Sequence, residues 1–132
     1  MQTAASPAQN TKDPLTSQII GLAIEVHREL GPGLLESAYE ECLARELTNA
    51  SLGFERQKQI PVHYKGEPVT PGFRVDLLVE NEVVVELKAV EKLLPIHEAQ
   101  VLTYLKLGGF PTGLIMNFHA MPLKSGIKRL VV

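Results

Sequence analysis

The 132-residue sequence predicts an α/β fold in which helices flank one central mixed β-sheet. Three observations carry that expectation. Apolar residues recur at helical spacing through the first third of the chain. Short β-branched runs with turn residues between them fill the middle. A further helical segment then separates that block from two closing strands, and a helix between strands covers a sheet face.

The elements follow in order. Residues 1–14 are rich in Thr, Ala, Ser, Gln and Pro and read as a disordered tail ahead of a domain over 15–132. Thr16 or Ser17 can cap a first helix, along which Ile19, Ala23, Val26 and Leu30 form an apolar stripe. Gly31-Pro32-Gly33 stops it. A second helix spans 34–48, with Leu35, Tyr39, Cys42, Leu43 and Leu47 inward and Glu41 and Arg45 as an exposed i, i+4 pair. Strands are expected at 54–60 and 62–64, with a turn at Lys65-Gly66-Glu67.

Next comes a β-hairpin, 73–79 and 83–89, around Glu80-Asn81-Glu82. Side chains alternate along a strand, so Phe73, Val75, Leu77 and Val79 should share one face. Val83, Val85, Leu87 and Ala89 share one face of the second strand, and Asp76, Glu86 and Lys88 fall opposite the apolar set. If Val79 pairs with Val83, Leu77 meets Val85 and Asp76 lies opposite Glu86. A third helix spans 95–107, opened by Pro95 and closed by Gly108-Gly109. Strands at 113–118 and 127–132 complete the chain.

Composition narrows the function. Hydrophobic residues make up 45% and charged residues 21%, the balance of an ordinary globular domain. A net charge of −2 provides no global basic field, so any nucleic-acid surface must be local. The single cysteine, Cys42, excludes an internal disulfide and a CxxC zinc site, and it fits a reducing, cytoplasmic location. No apolar run approaches the ~18 residues of a membrane span.

The candidate chemistry lies in the hairpin. Like charges directly opposed across two strands destabilise a sheet, so Asp76 facing Glu86 needs a reason. A divalent cation is one, and two carboxylates form a hard site suited to Mg²⁺ or Mn²⁺. Lys88, on the face of Glu86, can orient a water or offset phosphate charge. Spacing alone also permits a solvated polar face. His97, Gln100 and Tyr104 make a polar stripe on the third helix that could border the carboxylates or simply face solvent. Glu36 opens the second helix on the side of Tyr39, where it could face a ligand or complement the helix dipole. His27, His63 and His119 lack metal-ligand spacing, and Lys124, Lys128 and Arg129 form a small basic cluster. No Gly-x-Ser-x-Gly and no phosphate-cradling glycine loop is present.

Taken together, these residues resemble a known family. The order Glu-Val-His-x-x-Leu-Gly-Pro-Gly at 25–33, Gly-x-x-Glu-x-x-Tyr at 33–39, Asp76, Glu86-Leu-Lys88 and Gln100-x-x-x-Tyr104 resembles the GxxExxY proteins of the PD-(D/E)xK nuclease superfamily. Asn117-Phe118 and Gly126-Ile-Lys-Arg129 fit as well. The resemblance covers nearly all of 15–132 and implies a restriction-endonuclease-like core that hydrolyses phosphodiesters with a divalent metal. By that resemblance Asp76 and Glu86 hold Mg²⁺ or Mn²⁺, Glu36 completes the metal site, Lys88 assists the water, and Gln100 and Tyr104 bind substrate. Val75 stands where the superfamily has a proline before its first Asp. The expected partner is nucleic acid, DNA ahead of RNA, with no membrane; a homodimer is one way for so small a chain to wrap a duplex. The alternatives are a catalytically inactive module that binds nucleic acid or a protein, and a metal-dependent phosphohydrolase acting on a nucleotide.

Overall fold

A computed structural model of the chain describes residues 13–132. Of the expected tail, 1–12 lie outside the described residues, whereas Asp13 and Pro14 belong to the first helix. That helix, α1, is Pro14–Leu30. Its cap is Asp13 rather than Thr16 or Ser17: Asp13 Oδ1 accepts the N–H groups of Leu15 and Thr16, at 3.0 and 3.4 Å. Proline at the first helical position lacks an N–H that would have had no partner there anyway, so the helix begins earlier than periodicity suggests.

Helix α2 is Glu36–Asn49. Tyr39, Leu43 and Leu47 are fully buried, as their spacing predicts, but Leu35 precedes the helix and is 78% exposed. The loop between the helices is tied from within. The Tyr39 hydroxyl donates to the Gly31 carbonyl at 2.6 Å and accepts the Leu34 N–H at 3.1 Å.

Five strands form one sheet in chain order: β1 Phe54–Tyr64, β2 Glu67–Val79, β3 Val83–Lys88, β4 Thr112–Asn117 and β5 Ile127–Val131. Neighbours are antiparallel except β3 and β4, which run parallel. Helix α3, Pro95–Gly108, makes the crossover that a parallel pair requires. The two strands expected at 54–60 and 62–64 are one strand, with a register shift between Ile60 and Val62. Pro61 has no N–H for the ladder, and the irregularity absorbs that loss without ending the strand.

The layers are helix pair, sheet, helix. On one face Ile19, Ala23 and Val26 of α1 and Tyr39, Leu43 and Leu47 of α2 pack on Leu77, Val79, Val83, Val85, Leu87, Leu114 and Met116. On the other, Val101 and Leu105 of α3 pack on Ile60, Val75, Leu78, Val84 and Ile115. Gly113 lets α3 approach, since a Cβ there would lie 2.8 Å from a Val101 methyl.

The apolar set of β2 differs from the alternation the sequence suggests. Leu77 and Val79 lie under α1 and α2, but Phe73 and Val75 pack on the α3 side with Leu78. The strand changes face at Asp76. At that level β1 and β2 lose their regular pairing, between Arg56↔Leu77 and Lys58↔Val75, and Gln57 has a left-handed φ of 51°.

Candidate active site

The hairpin β2–β3 is regular where it turns and irregular where it opens. Val79↔Val83, Leu78↔Val84 and Leu77↔Val85 pair as the three-residue turn requires. Beyond them the side chains take over from the backbone. The Asp76 N–H donates to Glu86 Oε2 at 2.8 Å, and the Leu87 N–H donates to Asp76 Oδ2 at 2.9 Å. The expected facing carboxylates are therefore interlocked, each accepting a backbone N–H from the strand that carries the other. One oxygen of each is committed to the fold. The other is left to the site, with Asp76 Oδ1 accepting only a long 3.4 Å bond from the Gln57 amide.

Both acids are held in an environment that disfavours charge. Burial, and then the nearby Asp76 charge, push the Glu86 carboxyl up to about 8, against an ordinary 4.5. Burial raises Asp76 as well, with the Glu40 charge adding to it. Lys88, half-buried at the end of β3, works against both shifts. Tyr104 is raised by burial and then by the charges of Glu86 and Asp76, which puts its hydroxyl in their neighbourhood. Its ring lies flat on Phe73, with centroids 4.4 Å apart and planes 2° apart.

Asp76, Glu86, Lys88 and Tyr104 are thus brought to one place. Gln100 is exposed one helical turn before Tyr104, on the rim. His97 serves the helix instead: its Nδ1 accepts the Leu94 N–H at 3.0 Å. Glu36 is exposed at the first position of α2, near enough for its charge to act on Glu86. It does not close a three-carboxylate cage with Asp76 and Glu86. Among the described residues, no group of three or more His, Cys, Asp or Glu side chains is gathered tightly enough to hold an ion alone. The reason is local. Glu36 sits on the solvent side of an opening turn, while the other two are fixed in the sheet.

Other sequence candidates have structural tasks. Nε2 of His27 donates to the Phe118 carbonyl at 3.0 Å, and that of His119 donates to the Leu34 carbonyl at 3.2 Å. His63 is exposed on β1. Cys42 packs at the edge of the core. Two members of the basic cluster are engaged in ion pairs, Lys128 with Glu98 at 3.2 Å and Arg129 with Asp13 at 2.9 Å.

Three residues near the site were not singled out by sequence. Glu40, one turn beyond Glu36, is buried and accepts from Arg56 Nε at 3.0 Å and Gln57 Nε2 at 2.7 Å. Its position beside the Tyr39–Leu43–Leu47 stripe was a usable signal, because a glutamate at the edge of an apolar face must find a partner. Gln57 carries no such signal, since its role depends on its backbone conformation. Asn117 is the third: its amide holds the Val90 N–H and C=O, at 3.1 and 2.9 Å, and so fixes the chain leaving Lys88.

The sequence model of the PD-(D/E)XK nuclease superfamily matches residues 13–130. The chain belongs to that superfamily. No curated protein and no solved structure matches it. The sheet with helices on both faces is the restriction-endonuclease-like fold of PD-(D/E)XK nucleases. These nucleases generally use divalent metals, and the donor set here suits one. Two hard oxygens remain from two carboxylates that each already accept a backbone N–H, and the pair resists ionising without a neighbouring positive charge. A Mg²⁺-like ion needs only one or two carboxylates when waters and substrate phosphates fill its other positions. Superfamily membership also implies a nucleic-acid partner. No helix among the described residues is long and apolar enough to cross a membrane.

Proposed function

We propose that this protein is a metal-dependent nuclease of the GxxExxY type, hydrolysing phosphodiester bonds of DNA or RNA, DNA first. The single observation that carries the reading is the interlocked Asp76–Glu86 pair, with one oxygen of each side chain committed to a backbone N–H. That arrangement fixes two carboxylates rigidly in a position that is unfavourable until a cation arrives. Asp76 and Glu86 would hold Mg²⁺ or Mn²⁺, with Glu36 able to join from α2 once a substrate is present.

When bound, the ion would polarise a phosphoryl oxygen and ease ionisation of a water. The chain's own residues supply the rest. Glu86 releases its carboxyl proton as it takes up the ion, because a ligating carboxylate must be ionised. Lys88 places a positive charge beside both acids and so stabilises negative charge developing on the phosphoryl group. Tyr104, held by its stack on Phe73, and Gln100 on the same helix orient the nucleic acid along α3. Asn117 keeps the segment after Lys88 in place.

The test is thermal unfolding in EDTA and in millimolar Mn²⁺, on the parent and on Asp76→Asn, followed by cleavage assays on labelled duplex DNA, single-stranded DNA and RNA. A metal-induced rise confined to the parent, with Mn²⁺-dependent cleavage, supports the nuclease. Indifference to metal together with no cleavage would leave the chain a non-catalytic binding module.

A further inference from the structure

The face change at Asp76 has a counterpart on the neighbouring strand. Gln57 is the β1 residue at the same level, between the paired Arg56↔Leu77 and Lys58↔Val75, and it is left-handed at φ 51°. A non-glycine residue with that backbone is disfavoured, and glutamine lacks the local hydrogen-bonding habit that lets asparagine and aspartate tolerate it. The other left-handed non-glycine residues, Ser51, Lys65, Glu80 and Asn81, lie outside helices and strands. Gln57 lies within a strand. Strain in such a place persists only where surrounding interactions determine it, and it gathers at functional sites.

Its side chain shows what determines it. The Gln57 Nε2 amide donates to Glu40 Oε1 at 2.7 Å and also reaches Asp76 Oδ1 at 3.4 Å. Glu40 is itself fixed, buried on α2 with Arg56 Nε on its other oxygen at 3.0 Å. The neutral amide stands between two carboxylates that would otherwise face each other, and the Glu40 charge already acts on Asp76. Asp76 Oδ2 is tied to the Leu87 N–H, so Gln57 is the contact on the oxygen left to the site.

We infer that Gln57 is a positioning residue: its left-handed backbone and bridging amide connect buried Glu40 to Asp76 and aim the free Asp76 oxygen at the site. The inference rests on the metal reading of Asp76 and Glu86. It assigns the acidic residue of the second turn of α2, Glu40, to supporting that site through Gln57. Outer contacts of this kind orient ligating carboxylates, and losing one typically weakens metal affinity by about 10–100-fold.

Positioning and simple structural support separate cleanly here, because glycine relieves the backbone strain while removing the amide. The experiment measures two quantities on the parent, Gln57→Ala and Gln57→Gly. They are the Tm in EDTA and the Mn²⁺ dissociation constant by calorimetry without nucleic acid. The expected result is a Gln57→Gly protein whose metal-free Tm is at least that of Gln57→Ala, while both variants bind Mn²⁺ about tenfold or more weakly than the parent. A parent that binds Mn²⁺ and variants that bind it equally well overturn the positioning role alone. A parent that ignores Mn²⁺ overturns the metal reading and this inference with it.

Discussion

The two ends of one hairpin behave oppositely. Near the turn, β2 and β3 pair backbone to backbone, and Leu77, Leu78, Val79, Val83, Val84 and Val85 bury both faces almost completely. Ten residues of chain, from Asp76 round the turn to Glu86, bring the open end together. There, carboxylate oxygens take the place of backbone carbonyls as acceptors. The apolar end is stable because its groups leave water at no polar cost. The acidic end is held in place by that stability although its own charges repel. The difference teaches that an unfavourable pair can be presented rigidly when the adjoining residues of the same strands are favourable enough to hold it.

The comparison can be broken at the acidic end first. Glu86→Ala removes a proposed ligand and the acceptor of the Asp76 N–H. Metal-dependent cleavage should fall roughly 10³-fold or more, equivalent to ~4 kcal/mol in the barrier. Cleavage at the parental rate would sink the assignment. At the apolar end, Leu77→Ala should cost about 2–5 kcal/mol of stability, because a fully buried leucine leaves a cavity. Its mark is a lowered Tm in EDTA and in Mn²⁺ alike, which denaturant titration in both conditions would check.

The third prediction concerns pH and is smaller. Glu86 is 5% exposed, and its folded-state pKa is about 8 against 4.5 for the ordinary group. The folded protein therefore keeps a proton that the unfolded chain gives up above 4.5. The resulting contribution is fully present below about 4.5 and is lost as pH rises to about 8. Asp76 is raised too and acts in the same direction. In EDTA, stability should decline across this window by on the order of a few kcal/mol. Glu86→Gln should flatten much of the decline, while Mn²⁺ should reverse it in the parent. A Glu86→Gln curve parallel to the parent's would show that the burial of this carboxyl has been overread.

Legibility in the sequence followed the range of the interactions. Periodicity located α1, α2, α3 and every strand, since amphipathic spacing is local information. It missed the start of α1, because an aspartate followed by proline was assigned to the tail. It placed Val75 on the wrong face, because a strict period of two assumes a regular strand and β2 is not regular at Asp76. The hairpin register was legible from the three-residue turn, so the closeness of Asp76 and Glu86 followed. Their mutual capping did not, since it depends on the strands parting one residue beyond Leu77.

The order and type of the elements, the pairing at the hairpin turn and the presence of two acids and a lysine at the end of that hairpin were determined by sequence alone. Those features depend on neighbours within a few positions of one another. Tertiary structure decided that Glu36 stays at the solvent edge, that Glu40 is drawn inward to Arg56 and Gln57, and that Glu86 titrates near 8. These depend on how α2 lies against β1 and how deeply the sheet edge is buried, distances between residues far apart in the chain. The left-handed turn at Gln57 belongs with them. Glutamine has no preference for that conformation, and only the packing of two strands and a helix around one amide imposes it.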